Sequence, residues 1–144
     1  MQQSRKPKML MALSPENIAV ASDLLAPDYS ISITTSLEHA KTAVTEKFDV
    51  IAATACFDES RMFDLLRYCK ANPELASIPF IAMRLKDNEL DSTAHQGIHI
   101  ASQALGAEGF VDLYRIERVI GEQDRDAEFR NRIRILLEKR IPGE

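Results

Sequence analysis

"FDVIAATACF", residues 48–57, decides the fold. Val50 to Ala55 is a run of apolar and small residues with no polar face, the pattern of a strand covered on both sides. Such a strand belongs inside a parallel sheet with helices packed against each face. The chain leaves it through Thr54, Ala55, Cys56 and Phe57. Open parallel sheets bring ligands and reactions to that carboxyl edge, so Thr54 is the first residue to read for chemistry.

Working outward, the pattern alternates strand and helix. "KMLMAL" (8–13) is a short apolar run closed by "SPEN", where Ser14 can accept a backbone N–H as N-cap and Pro15 suits the first helical position. Ile18, Ala21, Leu24 and Leu25 then fall on one helical face. "YSISITTS" (29–36) is rich in β-branched residues that alternate with hydroxyls, which reads as a strand near an edge. Ser36 can cap a helix through Leu37, Ala40 and Val44. Past the central strand, Met62, Leu65, Leu66 and Cys69 mark another amphipathic helix, stopped because Pro73 disfavours helix at Asn72. "IPFIAMRL" (78–85) and "EGFVDL" (108–113) are the remaining strands. A polar loop and a helix lie between them, and a last helix spans 128–139. The order βαβαβαβαβα implies right-handed crossovers and an α/β doubly wound parallel sheet.

The 144 residues suit a single domain, 1–144, with residues 1–7 a flexible N-terminal tail. The net charge is −4, so direct nucleic-acid binding is not expected. The basic clusters (Arg5, Lys6 and Lys8; Arg130, Arg132, Arg134, Lys139 and Arg140) read as solvated faces. Two cysteines make no disulfide framework, no apolar run reaches membrane-span length, and the start is too short for a secretory signal. The expectation is a cytoplasmic protein with reduced thiols and no membrane contact.

"SPENIAVASDLL", "EHAKTAVTEKFDVIAAT", "LLRYCKANPELASIPFIAM" and "ALGAEGFVD", in this order and spacing, resemble the receiver (CheY-like) domain of bacterial response regulators over nearly the whole chain. The resemblance implies a flavodoxin-like sheet of order 2-1-3-4-5 with helices on both faces. It also implies a site of two acidic residues, a phosphorylated Asp, a hydroxyl and a Lys. Carboxylates there hold Mg²⁺ while phosphoryl passes to the ionised Asp. Here the acidic pair falls at Ala12 and Leu13, the acceptor at Thr54, the switch hydroxyl at Arg84 and the lysine at Leu113, followed by Tyr114. Each position has lost its chemistry, leaving no catalytic residue, no metal site and no expected Mg²⁺ cofactor.

What remains near the strand ends is Ser14, Cys56, Asp58 and Arg84. Arg84 is expected to enter the emptied pocket and pair with Asp58, and Cys56 to be an inert thiol unless Arg84 lies beside it. His95 and His99, four apart with Glu89 and Asp91 upstream, are a weak two-histidine pattern best read as a polar helix face. Phe110 is expected to pack as core. The resemblance implies a non-enzymatic degenerate receiver in two-component-type signalling. It would act without phosphorylation by binding a protein partner or forming a homodimer through its fourth helix, fifth strand and fifth helix. Two segments bordering that face, 84–105 and 114–127, are longer than usual. The alternative is a small-molecule or metal sensor using the remodelled strand-end pocket.

Overall fold

A computed structural model describes residues 6–85 and 92–139. Five strands, β1 (Lys8–Ala12), β2 (Ser30–Thr34), β3 (Val50–Thr54), β4 (Phe80–Arg84) and β5 (Gly109–Asp112), form one parallel sheet. Their spatial order is β2-β1-β3-β4-β5, as expected for the flavodoxin-like fold. The order reverses between β1 and β3, and doubly wound sheets open a crevice at the carboxyl ends of the two strands that flank such a reversal.

Alternation along each strand sorts the core into two layers. Met9, Met11, Val50, Ala52, Ile81, Met83 and Val111 face α1 (Ile18–Leu25) and the C-terminal helices, where Leu24, Leu25, Phe129 and Ile133 meet them. Leu10, Ile51, Ala53, Phe80 and Ala82 face α2 (Leu37–Ala43) and α4 (Met62–Ala71), covered by Ala40, Leu65, Leu66 and Cys69. Every residue of β3 is buried, which is why "VIAAT" carries no polar face. Ser36 caps α2 by accepting from the His39 N–H at 3.2 Å, and α4 ends at Asn72 in extended geometry ahead of Pro73.

Three departures from the sequence reading have local causes. Ser14 caps through no side-chain bond, because its hydroxyl turns to the β3 loop instead. The segment after β5 is helical: α6 (Leu113–Ile120) begins directly on Asp112, buries Leu113 and Ile116, and turns at Gly121 (φ 93°) into α7 (Glu122–Lys139). The last helix therefore starts six residues before the expected Glu128, and Leu113 leaves the strand. Phe110 is half-buried, with His95 and His99 of α5 (Ser92–Ala104) against its ring at centroid distances of 5.1 and 6.3 Å. No helix among the described residues is long and apolar enough to cross a membrane.

Candidate functional site at the carboxyl edge of the sheet

The crevice between β1 and β3 holds a small neutral polar cluster. Ser14, just past β1, donates its hydroxyl proton to the Cys56 carbonyl at 2.9 Å. With that proton committed, the Cys56 thiol, also 2.9 Å from Ser14 Oγ, is the donor of the second bond. Asn17, fully buried at the end of the 3₁₀ turn Pro15–Asn17, directs Nδ2 at Cys56 Sγ from 3.6 Å, and Thr54 Oγ1 lies 4.0 Å from the same sulfur. Thr54, Ala12 and Leu13 are all 0% exposed. These three strand-end residues are therefore closed to solvent, and the cluster laces two loops together without a single formal charge.

The chain then makes an unusual turn. α3 (Phe57–Ser60) has left-handed backbone at Asp58 (φ 44°), Glu59 (φ 56°) and Ser60 (φ 68°). Non-glycine residues pay about 1–2 kcal/mol each for this hand. Part of that cost is offset by Asp58, whose carboxylate accepts the Leu37 N–H at 2.7 Å and sets a negative charge at the N-terminus of α2.

The expected Arg84–Asp58 pair does not form, since Asp58 is committed to α2. Thr54 is in register with Met83, so by alternation Arg84 projects to the opposite face from Thr54. There the register sets it beside Asp112, and Arg84 Nη1 meets Asp112 Oδ1 at 3.3 Å with side chains 1% and 5% exposed. Asp112 is also the N-cap of α6, accepting the Arg115 N–H at 3.2 Å. Its other oxygen lies 3.1 Å from His95 Nδ1. An ionised carboxylate only accepts, so Nδ1 carries the proton. Tyr114 lies over the guanidinium carbon of Arg84 at 4.8 Å, and Arg118 adds a second cation over the same ring at 5.7 Å.

Of the sequence candidates, Ser14 and Cys56 meet, Asp58 turns away to α2, Arg84 turns to β5, and Leu113 starts a helix. His95 binds Asp112, and both His95 and His99 lie against the Phe110 ring. Glu89 and Asp91 lie outside the described residues, among which no group of three His, Cys, Asp or Glu could hold an ion. Asn17, Asp112 and Tyr114 are the site residues that sequence reasoning missed. Neither cysteine forms a disulfide; burial pushes the Cys69 thiol up to about 11, whereas Cys56 is half-buried at the crevice.

No protein-family model matches the sequence, and no curated protein does. Solved structures do match. A chain assigned as a response regulator from Chloroflexus aurantiacus superposes with a TM-score of 0.69 at 14% identity, covering 93% of this chain and 99% of that one. The signal receiver domain of a histidine kinase from Syntrophus aciditrophicus gives 0.68 at 18% identity, covering 96% and 95%. The receiver domain of a sensor histidine kinase from Pseudomonas aeruginosa, which holds magnesium in its active-site cleft, gives 0.66 at 15% identity, covering 93% and 99%. The chain has the fold of response-regulator receiver domains.

Proposed function

We propose that this chain is a phosphorylation-independent receiver-type module of two-component-type signalling, acting by binding a protein partner and not by catalysis or Mg²⁺ chemistry. The observation that carries the reading is the sealed acceptor position. Thr54 is 0% exposed, its hydroxyl is neutral, and Ala12 and Leu13 beside it offer no carboxylate. In a phosphorylated receiver the charge arriving at this edge is what changes the surface. Here a fixed pair, Arg84–Asp112, already supplies charge at the edge, and Tyr114 and His95 brace it. That arrangement favours one standing conformation over a switch. The partner surface is the face of α5, β5 and α6, where Ile100 and Val119 stand 60% and 76% exposed.

Incubation with acetyl phosphate and Mg²⁺, read by intact mass, tests the proposal. The expected result is no gain of phosphoryl mass under conditions that phosphorylate a competent receiver. A stoichiometric adduct, at Asp58 for instance, overturns it.

A further inference from the structure

The proposed function concerns the carboxyl edge and the α5–β5–α6 face, but the opposite margin of the sheet carries its own signal. We propose that β2 is a docking edge for a second copy of this chain, pairing antiparallel about a two-fold axis through Ser32. Among the described residues no strand lies outside β2. The bonds to β1 run from the Ser30 N–H to the Pro7 carbonyl at 2.8 Å and from the Leu13 N–H to the Thr34 carbonyl at 3.0 Å. With Ser32 in register with Leu10, the parallel ladder uses the backbone of Ser30, Ser32 and Thr34. The backbone N–H and C=O groups of Ile31 and Ile33 therefore face outward.

Edge strands are ordinarily protected by lysine, proline, a bulge or a covering segment. β2 is "SISIT", with Ser30, Ser32 and Ile33 all exposed and Ile33 at 38%. The protection is missing more widely. The twenty residues from Ile18 to Leu37 carry two charges, Asp23 and Asp28, in a chain that is 28% charged. A charge-poor edge of this kind matches another charge-poor edge.

The sequence is also self-complementary at one register. Antiparallel pairing centred on Ser32 sets Ile31 opposite the partner's Ile33 and Ile33 opposite the partner's Ile31. Both are hydrogen-bonded pairs built from the outward groups. Cross-strand residues share a face, so four isoleucines gather on one side. On the other side Ser30 meets the partner's Thr34 and the two Ser32 hydroxyls meet each other. A two-fold axis makes every contact twice from one patch, the usual geometry of a homodimer. The product is a continuous ten-stranded sheet.

Sedimentation equilibrium on the full chain, up to the high micromolar range, should show a monomer–dimer equilibrium. Ile33→Lys should weaken the dimer about tenfold or more, by placing charge on the edge. Ile33→Pro, which removes only an outward donor, should do the same with the circular dichroism of the wild type. Directly opposed residues in a non-hydrogen-bonded antiparallel pair have Cα atoms about 4.5 Å apart, within disulfide range. Under mild oxidation Ser32→Cys should thus give a covalent dimer mapped to that residue, whereas Ser30→Cys, facing Thr34, should not. A chain monomeric throughout, a dimer indifferent to Ile33→Lys, or equal cross-linking at 30 and 32 overturns the proposal. So does a dimer dissolved by Val119→Lys and not by Ile33→Lys, which would put the contact on α6.

Discussion

Replacing Asp112 by asparagine removes one charge from the strand edge while keeping the shape and the capping oxygen of α6. Arg84 is left 1% exposed with the Asp112 charge beside it gone. With the closest atoms 3.3 Å apart, the charge centres lie about 4 Å apart, which at an effective dielectric constant of about 20 corresponds to about 4 kcal/mol. Breaking a buried pair from one side costs about 3–5 kcal/mol, chiefly because the surviving ion stays buried. In asparagine Oδ1 still caps α6, while the Nδ2 that replaces the second oxygen can only donate, so His95 must turn Nδ1 into an acceptor; the expected loss for Asp112→Asn is about 3 kcal/mol. That is a fall of about 6–12 °C in melting temperature for a domain near this size.

Arg84→Met differs in kind. Methionine fills much of the guanidinium stem's volume with apolar atoms, and Asp112 keeps the Arg115 N–H and His95 as partners. The expected loss is about 1–2 kcal/mol. In the double variant both charges of the pair are gone, so the cycle should return a coupling of about 2 kcal/mol. Urea unfolding followed by circular dichroism, with the slope unchanged among variants, supplies all four stabilities. A loss below about 1 kcal/mol for Asp112→Asn, or a coupling below about 0.5 kcal/mol, would refute the claim that this pair anchors the edge.

Further predictions concern other elements. Glu59→Gly relieves a left-handed non-glycine residue (φ 56°) and should raise stability by about 1 kcal/mol; an unchanged or lower melting temperature would mean the turn is not strained. A Cβ at Gly109 would come within 2.6 Å of Leu136 Cδ1, so Gly109→Ala should cost about 1–3 kcal/mol, and Leu136→Ala in the same chain should recover part of it. Iodoacetamide at pH 8 should modify Cys56 and spare Cys69, whose thiol sits near 11 and is therefore only about one part in a thousand ionised. Equal labelling of the two in the native protein would contradict the burial argument. Because the Cys69 pKa is raised above its ordinary 9, its contribution to stability is complete below pH 9 and is lost as pH climbs through 11. Urea midpoints should fall across that window, and less steeply in Cys69→Ala.

What the sequence made legible follows the physics of each feature. The five strands and their order are local signals, because a strand buried on both faces, such as "VIAAT", has no other way to satisfy its apolar side chains. The position of Ala12, Leu13 and Thr54 at the carboxyl edge is legible for the same reason, since Ala12 and Thr54 end their strands and Leu13 is the next residue after β1. Partners across strands are not local. Arg84 meets Asp112 only because β4 and β5 take one particular register, and in the sequence Asp112 sits inside "EGFVDL" like any strand residue. Asp58 had an equally plausible charge and a place in the right loop. What removes it is a left-handed run that nothing in "FDES" announces, as none of its residues is glycine. Helix α6 is the opposite case. Leu113, Ile116 and Ile120 are spaced for a helix face, but Gly121 and the polar run behind it break the pattern as a loop would. A glycine at positive φ between two helices and a glycine in a loop look alike in sequence. The distinction rests on Asp112, which starts α6 as its cap while closing the ion pair with Arg84. The residue hardest to read from the sequence is thus the one that ties the edge of the sheet to the helix that follows it.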